Sequence, residues 1–515
     1  MKRNKKKMCA WLITMALGLA IVGCSNNKIA TTTQTTVQQS ETAAVNTSNS
    51  TTKGAYSDED LNTSYSDSDT KIELSNQSAD ITGDGATFEN GNIKITKAGT
   101  YVLSGEFDGQ IITEVGDEDV VHLVFNGVNI TNTTSSAINA ATGKKVVITL
   151  VDGTTNTLSD GTSYEYADGE DEPDATLFVK NNLTINGTGS LNIDSNYATA
   201  IKAKDNLIIL DSKINIDSVG KAIKGKDSVT VENADITINA EDDGITTDGA
   251  MVINSGNINI EKSGEGLEGV SIDINGGNID IVAMDDGINA RGLIDDSATD
   301  AEKEAYGEEN QADTYLRITG GTVNINASAD GIDSNGQVYI DGGTVYVSGA
   351  TSGPDVALDY NGKAVITGGT FVSTGMQEMA QTFDSSSTQN FITVYYDSAV
   401  AAGSEIKVTD KDGNTVLSYN ADKEFTFAVI SSDKLSTGET YTVTAGDNSD
   451  EVTITAGGST IGERSAGGSG GPNGNGGPGG NPPTGQPPQK PTDANGNEIE
   501  MQGPPSGESS QTENN

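Results

Sequence analysis

Ala200-Ile201-Lys202-Ala203-Lys204-Asp205 recurs 22 positions on as Ala222-Ile223-Lys224-Gly225-Lys226-Asp227. The motif returns as Gly244-Ile245-Thr246, Gly266-Leu267-Glu268 and Gly287-Ile288-Asn289, so its central apolar residues stand 22, 22, 22 and 21 positions apart. After an insertion at 291–313 it resumes as Gly331-Ile332-Asp333 and Ala357-Leu358-Asp359, and an earlier copy is Ala137-Ile138-Asn139. Two further apolar–x–apolar segments follow each centre. They run from Leu207-Ile208-Ile209 and Ile214-Asn215-Ile216 to Val338-Tyr339-Ile340 and Val345-Tyr346-Val347. Alternation with period two puts the flanking apolar residues on one face of a strand. Turns such as Asn275-Gly276-Gly277-Asn278 separate the two sets, and glycine supplies the positive φ that such corners need.

Three short strands per repeat predict an all-β right-handed parallel β-helix. One repeat cannot bury its apolar face alone, but stacking at about 4.8 Å per repeat makes a continuous core. Helical repeats would need apolar spacings of three and four, and nine-residue calcium repeats have the wrong period. The predicted β-helix covers 76–375. Beyond it, longer alternating segments such as Phe391-Ile392-Thr393-Val394 and Phe425-Thr426-Phe427 predict an antiparallel cap or small sandwich over 376–460.

The flanks read differently. Residues 1–23 combine a basic start (Lys2, Arg3, Lys5, Lys6, Lys7) with an apolar run from Trp11 to Val22, as in an export signal. Ile21-Val22-Gly23-Cys24 resembles a bacterial lipobox, which would lipidate Cys24; the alternative is an uncleaved anchor, for which the run is short. Residues 24–75 read as the lipidated cysteine and a Ser/Thr-rich tether, and 461–515 as a Gly/Pro-rich disordered tail. The expected location is extracytoplasmic, with membrane contact through the lipid alone.

The net charge of −44 opposes binding to nucleic acid and anionic lipid and attracts cations. The mature chain would have no disulfide, and His122, the single histidine, lies beside an apolar run and argues against His-ligated zinc and a Ser-His or Cys-His nucleophile. A monomer is expected.

The charge is placed as well as abundant. Two positions before the repeat centre stand Asp243, Glu265, Asp286 and Asp330; three before it, Asp242, Asp285 and Asp355; one after it, Glu268, Asp333 and Asp359. Carboxylates stacked at strand spacing repel one another unless protons or cations intervene. Calcium takes six to eight oxygens, so Asp242, Asp243, Glu265, Asp285, Asp286, Asp330, Asp333, Asp355 and Asp359 are the candidate Ca2+ ligands. The glycine of Asp-Asp-Gly-Ile, at 242–245 and 285–288, would let backbone oxygens approach an ion. The competing reading is a solvated acidic ladder.

These turns, with the Ala-Ile-Lys-Ala-Lys-Asp pattern, the Gly-Gly-Thr-Val corners and the Lys411-Asp412-Gly413-Asn414 stretch, resemble the carbohydrate-binding β-helix lipoproteins of clostridia and related bacteria. The resemblance covers about 80–455. It implies a pectate-lyase-like fold, calcium in the β-helix, and a cellulose-like or acidic polysaccharide as partner. Three functions stay open: a surface polysaccharide binder, a calcium-dependent polysaccharide lyase, and a structural adhesin or wall protein. Tyr339, Tyr346 and Tyr360 are candidates to stack on sugar rings, against the plainer reading of side chains lying on a sheet. Lys202 and Lys224 are candidate ligand contacts or, in a lyase, bases, against a plain solvated ladder.

Overall fold

The computed structural model describes residues 56–293 and 310–465. The segment read as export signal, Cys24, most of the tether, the middle of the insertion and all but residues 461–465 of the tail fall outside the described residues.

The repeat dictates the architecture. Every 22 residues the chain comes back beside itself with like residues in register. Leu207 pairs with Val229, Val229 with Met251, and Met251 with Ile272. Ile214 pairs with Ile236, and Ile236 with Ile258. All these pairings are parallel, and the molecule is almost wholly β-structure. Among the described residues, the second and third strands of the repeats join one wide sheet, while the first strands form a narrow sheet of 11 short strands. The only helix described is the single turn Asp58–Leu61, and no helix there is long and apolar enough to cross a membrane.

The inward residues meet in one continuous core. Ile201, Ile223, Ile245, Leu267, Ile288 and Ile332 are fully buried, as are their partners from the wide sheet, such as Leu207, Val229, Met251 and Ile272. Aliphatic side chains stacking on their own kind at strand spacing let each repeat bury the apolar face of the next. Outward polar residues also stack: Asn215 donates to Asn192, Asn239 to Asp217 and Asn257 to Asp235 at 2.6–2.8 Å. His122 is buried against Thr149 at 2.7 Å, and burial lowers its pKa, in keeping with a structural role.

Two boundaries differ from the sequence reading. Residues 56–62, inside the segment read as tether, lie across the outer face of the wide sheet. Buried Asp60 pairs with Lys145 at 2.8 Å and also bonds Thr184, while Asn186 donates to the Asp60 carbonyl at 2.9 Å. Tyr56 donates to Glu232 at 2.5 Å. At the other end, Phe391–Val400 and Phe425–Ser432 do not form a separate layer. Phe425–Ser432 pairs antiparallel with Thr370–Gly375, so both strands extend the wide sheet. Only Glu405–Asp410, Thr415–Asn420, Thr440–Ala445 and Asn448–Thr453 form a small sheet of their own.

Candidate metal and carbohydrate site

The first strand of each repeat places the polar residue after its centre in one outward column. Lys202, Lys224, Thr246, Glu268, Asn289 and Asp333 are successive register partners, and the bridge from Ile332 to Leu358 brings Asp359 to the column's end. The residues two positions before the centre run beside it. Their backbone closes the corners: Gly244 N donates to Glu265 O, Gly266 N to Asp286 O and Gly287 N to Asp330 O, at 2.8–3.0 Å.

That ladder assigns the corner glycines a different role from the expected one. A Cβ on Gly287 would lie 2.5 Å from the Gly331 carbonyl and 2.2 Å from Ile325 Cγ2; one on Gly266 would lie 2.4 Å from the Gly287 carbonyl. Glycine here admits the backbone of the next repeat, whose carbonyl oxygen is already bonded.

The predicted ligands divide into two groups. Asp243 and Glu265 gather with Glu268, and Asp330 and Asp333 gather with Asp359; within each group the carboxylate oxygens lie within 4.8 Å of one another. Two of the three carboxylates in the first group, Asp243 and Glu268, are paired with cations of the chain, and Glu265 is not. Lys221 pairs with Asp243 and reaches Glu268 at 3.9 Å, and Arg291 pairs with the other oxygen of Glu268. Glu265 receives Asn289 Nδ2 at 3.1 Å, yet burial, then the charge of Glu268, raises its pKa to about 7.

In the second group, no lysine or arginine among the described residues pairs with Asp330, Asp333 or the adjoining Asp286. Burial pushes Asp330 and Asp333 up to about 8, with the charges of Asp286 and Asp359 adding to it, and Asp286 up to about 6. Backbone amides aim these side chains: Asp330 N donates to Asp286 and Tyr360 N to Asp359, both at 2.9 Å, and Val356 N donates to Asp330. Gln381 also donates to Asp359. Carboxyls oriented this way yet held so far above their usual range make a socket for protons or a cation.

The remaining candidates are placed as follows. Asp242 and Asp285 are exposed, the former 3.8 Å from Lys221, and Asp355 contributes by its charge on Asp286. Lys202 pairs with Asp174, and Lys224 with Asp248 at 2.9 Å. Tyr346 stacks on Tyr419 of the small C-terminal sheet with centroids 4.7 Å apart, and Tyr360 donates to the Thr382 carbonyl at 2.6 Å. Tyr339 lies under the Arg317 guanidinium, 4.7 Å from its centroid. Sequence reasoning left out a further aromatic group. Tyr164, from the 159–175 insertion, stacks on Tyr197 at 4.2 Å, with Tyr166 6.4 Å from Tyr197.

A repeat-built all-β chain with a row of oxygen donors along one edge defines the class. Comparison with known proteins narrows it. Residues 89–355 match the family described as carbohydrate-binding domain-containing protein, and the chain belongs to that family. A relative of that description from Acetivibrio thermocellus is 38% identical over 135 residues, which is 26% of this chain and 47% of the relative. The chain thus spans about half the length of that curated relative. A solved polysaccharide lyase-like protein from C. thermocellum, a gadolinium derivative, is 29% identical, covering 58% of this chain and 97% of its own, with a TM-score of 0.36.

Proposed function

We propose that this chain is a cell-surface lipoprotein, anchored through Cys24, that binds an acidic or cellulose-like polysaccharide along a right-handed parallel β-helix with calcium at Asp330, Asp333 and Asp359. The observation that carries the reading is the second carboxylate group. Three carboxylates, two of them held by hydrogen bonds, converge within 4.8 Å, and no cation of the described chain pairs with Asp330 or Asp333, in a member of a carbohydrate-binding family. The donors are all oxygen, which suits calcium.

Three carboxylates supply from three to six of the six to eight oxygens that calcium takes. Uronate carboxylates or sugar hydroxyls would complete the set, which is how a protein of charge −44 can hold an anionic glycan. Asp286 stands behind as a further charge. The pairing of Lys202 and Lys224 with carboxylates of the chain favours binding over lyase chemistry, since a base must be free to reach its proton.

The test uses soluble protein starting at Ser25, incubated with insoluble cellulose and with polygalacturonate gel, in calcium and in EDTA. Bound protein and the ultraviolet absorbance of unsaturated uronate are read from the same tubes. Calcium-dependent retention without product is expected. Accumulating product would replace the binder with a lyase, and retention on neither polymer would leave the structural role.

A further inference from the structure

The aromatic group at the insertion has no part in the core. Tyr197 is 36% exposed, on a surface that shows few large apolar side chains. It is held in place from below. Tyr164 stacks on it with the rings 17° apart, and the Tyr164 hydroxyl donates to buried Asp160 at 2.6 Å. Asp160 is fixed in turn by Thr176 at 2.8 Å and by the Asn196 amide at 2.5 Å. Tyr166 stands beside it, tilted 56° to Tyr197, with its hydroxyl on the Pro173 carbonyl at 2.9 Å. The Tyr164 and Tyr166 hydroxyls are thus anchored below and beside the exposed Tyr197 ring.

Its place in the fold gives it a meaning. Tyr197 lies in the corner leading into the narrow-sheet strand Thr199–Ala203, and Asp330 lies in the corresponding corner before Ile332–Ser334. Those strands are five spacings apart in the narrow sheet, about 24 Å at about 4.8 Å each. Two more exposed apolar side chains, Val219 (51% exposed) and Met284 (63%), occupy the same corner in intervening repeats. One edge therefore carries an aromatic surface at one end, apolar side chains along the way, and at the other a carboxylate group in which Asp330 and Asp333 pair with no lysine or arginine among the described residues. A pyranose chain has the matching chemistry: apolar C–H faces that stack on aromatic rings, and polar rims that reach a metal.

We propose that Tyr197, with Tyr166 beside it, is a sugar-stacking subsite, and that a single polysaccharide chain spans from it to the Asp330–Asp333–Asp359 group. The inference rests on the carbohydrate-binding reading above. It makes binding depend on ligand length, because a fragment short of about 24 Å engages one end only. Asp160 is a positioning residue that holds Tyr164 under the Tyr197 ring.

The test compares the soluble protein with Tyr197→Ala and Tyr197→Phe, in calcium, by titration with polygalacturonate and with di-galacturonate. Calcium affinity is measured on each protein alone. Tyr197→Ala is expected to bind the polymer roughly five- to tenfold more weakly, as fits loss of one ring contact. Tyr197→Phe should bind as wild type, and calcium affinity and di-galacturonate binding should not change. Wild-type affinity of Tyr197→Ala for the polymer would overturn the subsite and leave the carbohydrate-binding reading intact. An equal loss on di-galacturonate would overturn the spanning chain. No binding by wild type to either probe would overturn the spanning chain and, together with no retention on cellulose, the carbohydrate-binding reading as well.

Discussion

The chemistry of individual side chains turns on what neutralises each carboxylate. Asp330 and Asp333 were legible in the sequence, since any column of acids at repeat spacing crowds charge. Their separation from Asp243 and Glu265 was not, because it depends on Lys221 reaching forward to Asp243 and Arg291 reaching back to Glu268 across neighbouring repeats. The raised pKa values have a definite sign. A carboxyl whose folded pKa stands near 8 holds its proton in the native state where the unfolded chain, titrating near 4, has lost it. Metal-free stability is thus fully present below about pH 4 and is lost as pH rises toward about 8. In EDTA, thermal melts should fall in midpoint from pH 5 to pH 8, and Asp333→Asn should flatten that fall. Calcium at pH 8 should raise the wild-type midpoint and leave Asp333→Asn nearly unmoved. A wild-type midpoint indifferent to both pH and calcium would contradict the assignment. Asp60 has the opposite sign. Burial alone would raise its pKa, but the bonds from Lys145, Thr184 and Ser57 outweigh it and hold the carboxyl low. Removing the partner of a buried pair costs about 3–5 kcal/mol, so Asp60→Ala should lower stability in a urea melt by an amount of that order, whereas a loose tether would give no change.

At the scale of strands and corners, the sequence was most informative. Period-two alternation at Leu207–Ile209 and Ile214–Ile216 fixes which residues face inward, and a slip by one would turn all of them to water. Those residues are buried as the pattern requires. The corner glycines were legible as special but not for the right reason, since a contact between repeats leaves no trace in local composition. Gly287→Ala should destabilise the protein by about 1–3 kcal/mol through overpacking against Ile325 and the Gly331 carbonyl. Gly287→Ala melting like wild type would show that neighbouring repeats are not held at that spacing. The aromatic groups were hidden for a similar reason. Tyr164 reaches Tyr197 only through the path of an insertion, and Tyr346 meets Tyr419 only once the C-terminal strands fold back. Neither path has a periodic signature.

For the whole molecule, the parallel repeats and the antiparallel C-terminal strands share one wide sheet, so the third strand of the last repeat does not end on an open edge. The repeated edge lets a small difference between repeats change its charge: Lys221 pairs with Asp243, whereas no lysine or arginine among the described residues pairs with Asp330 or Asp333. A ligand bound only by the native state stabilises it by about 2.7 kcal/mol at a hundred times its dissociation constant, so calcium should act on the protein as a unit as well as on the glycan contact. The most direct measurement is retention of wild type and Asp333→Asn on polygalacturonate gel at pH 7.5, each with calcium and with EDTA. Wild type should be retained in calcium and released by EDTA, while Asp333→Asn, folded by circular dichroism, should pass through in both. Equal, calcium-dependent retention of the two proteins would contradict the account and move the metal away from Asp330, Asp333 and Asp359.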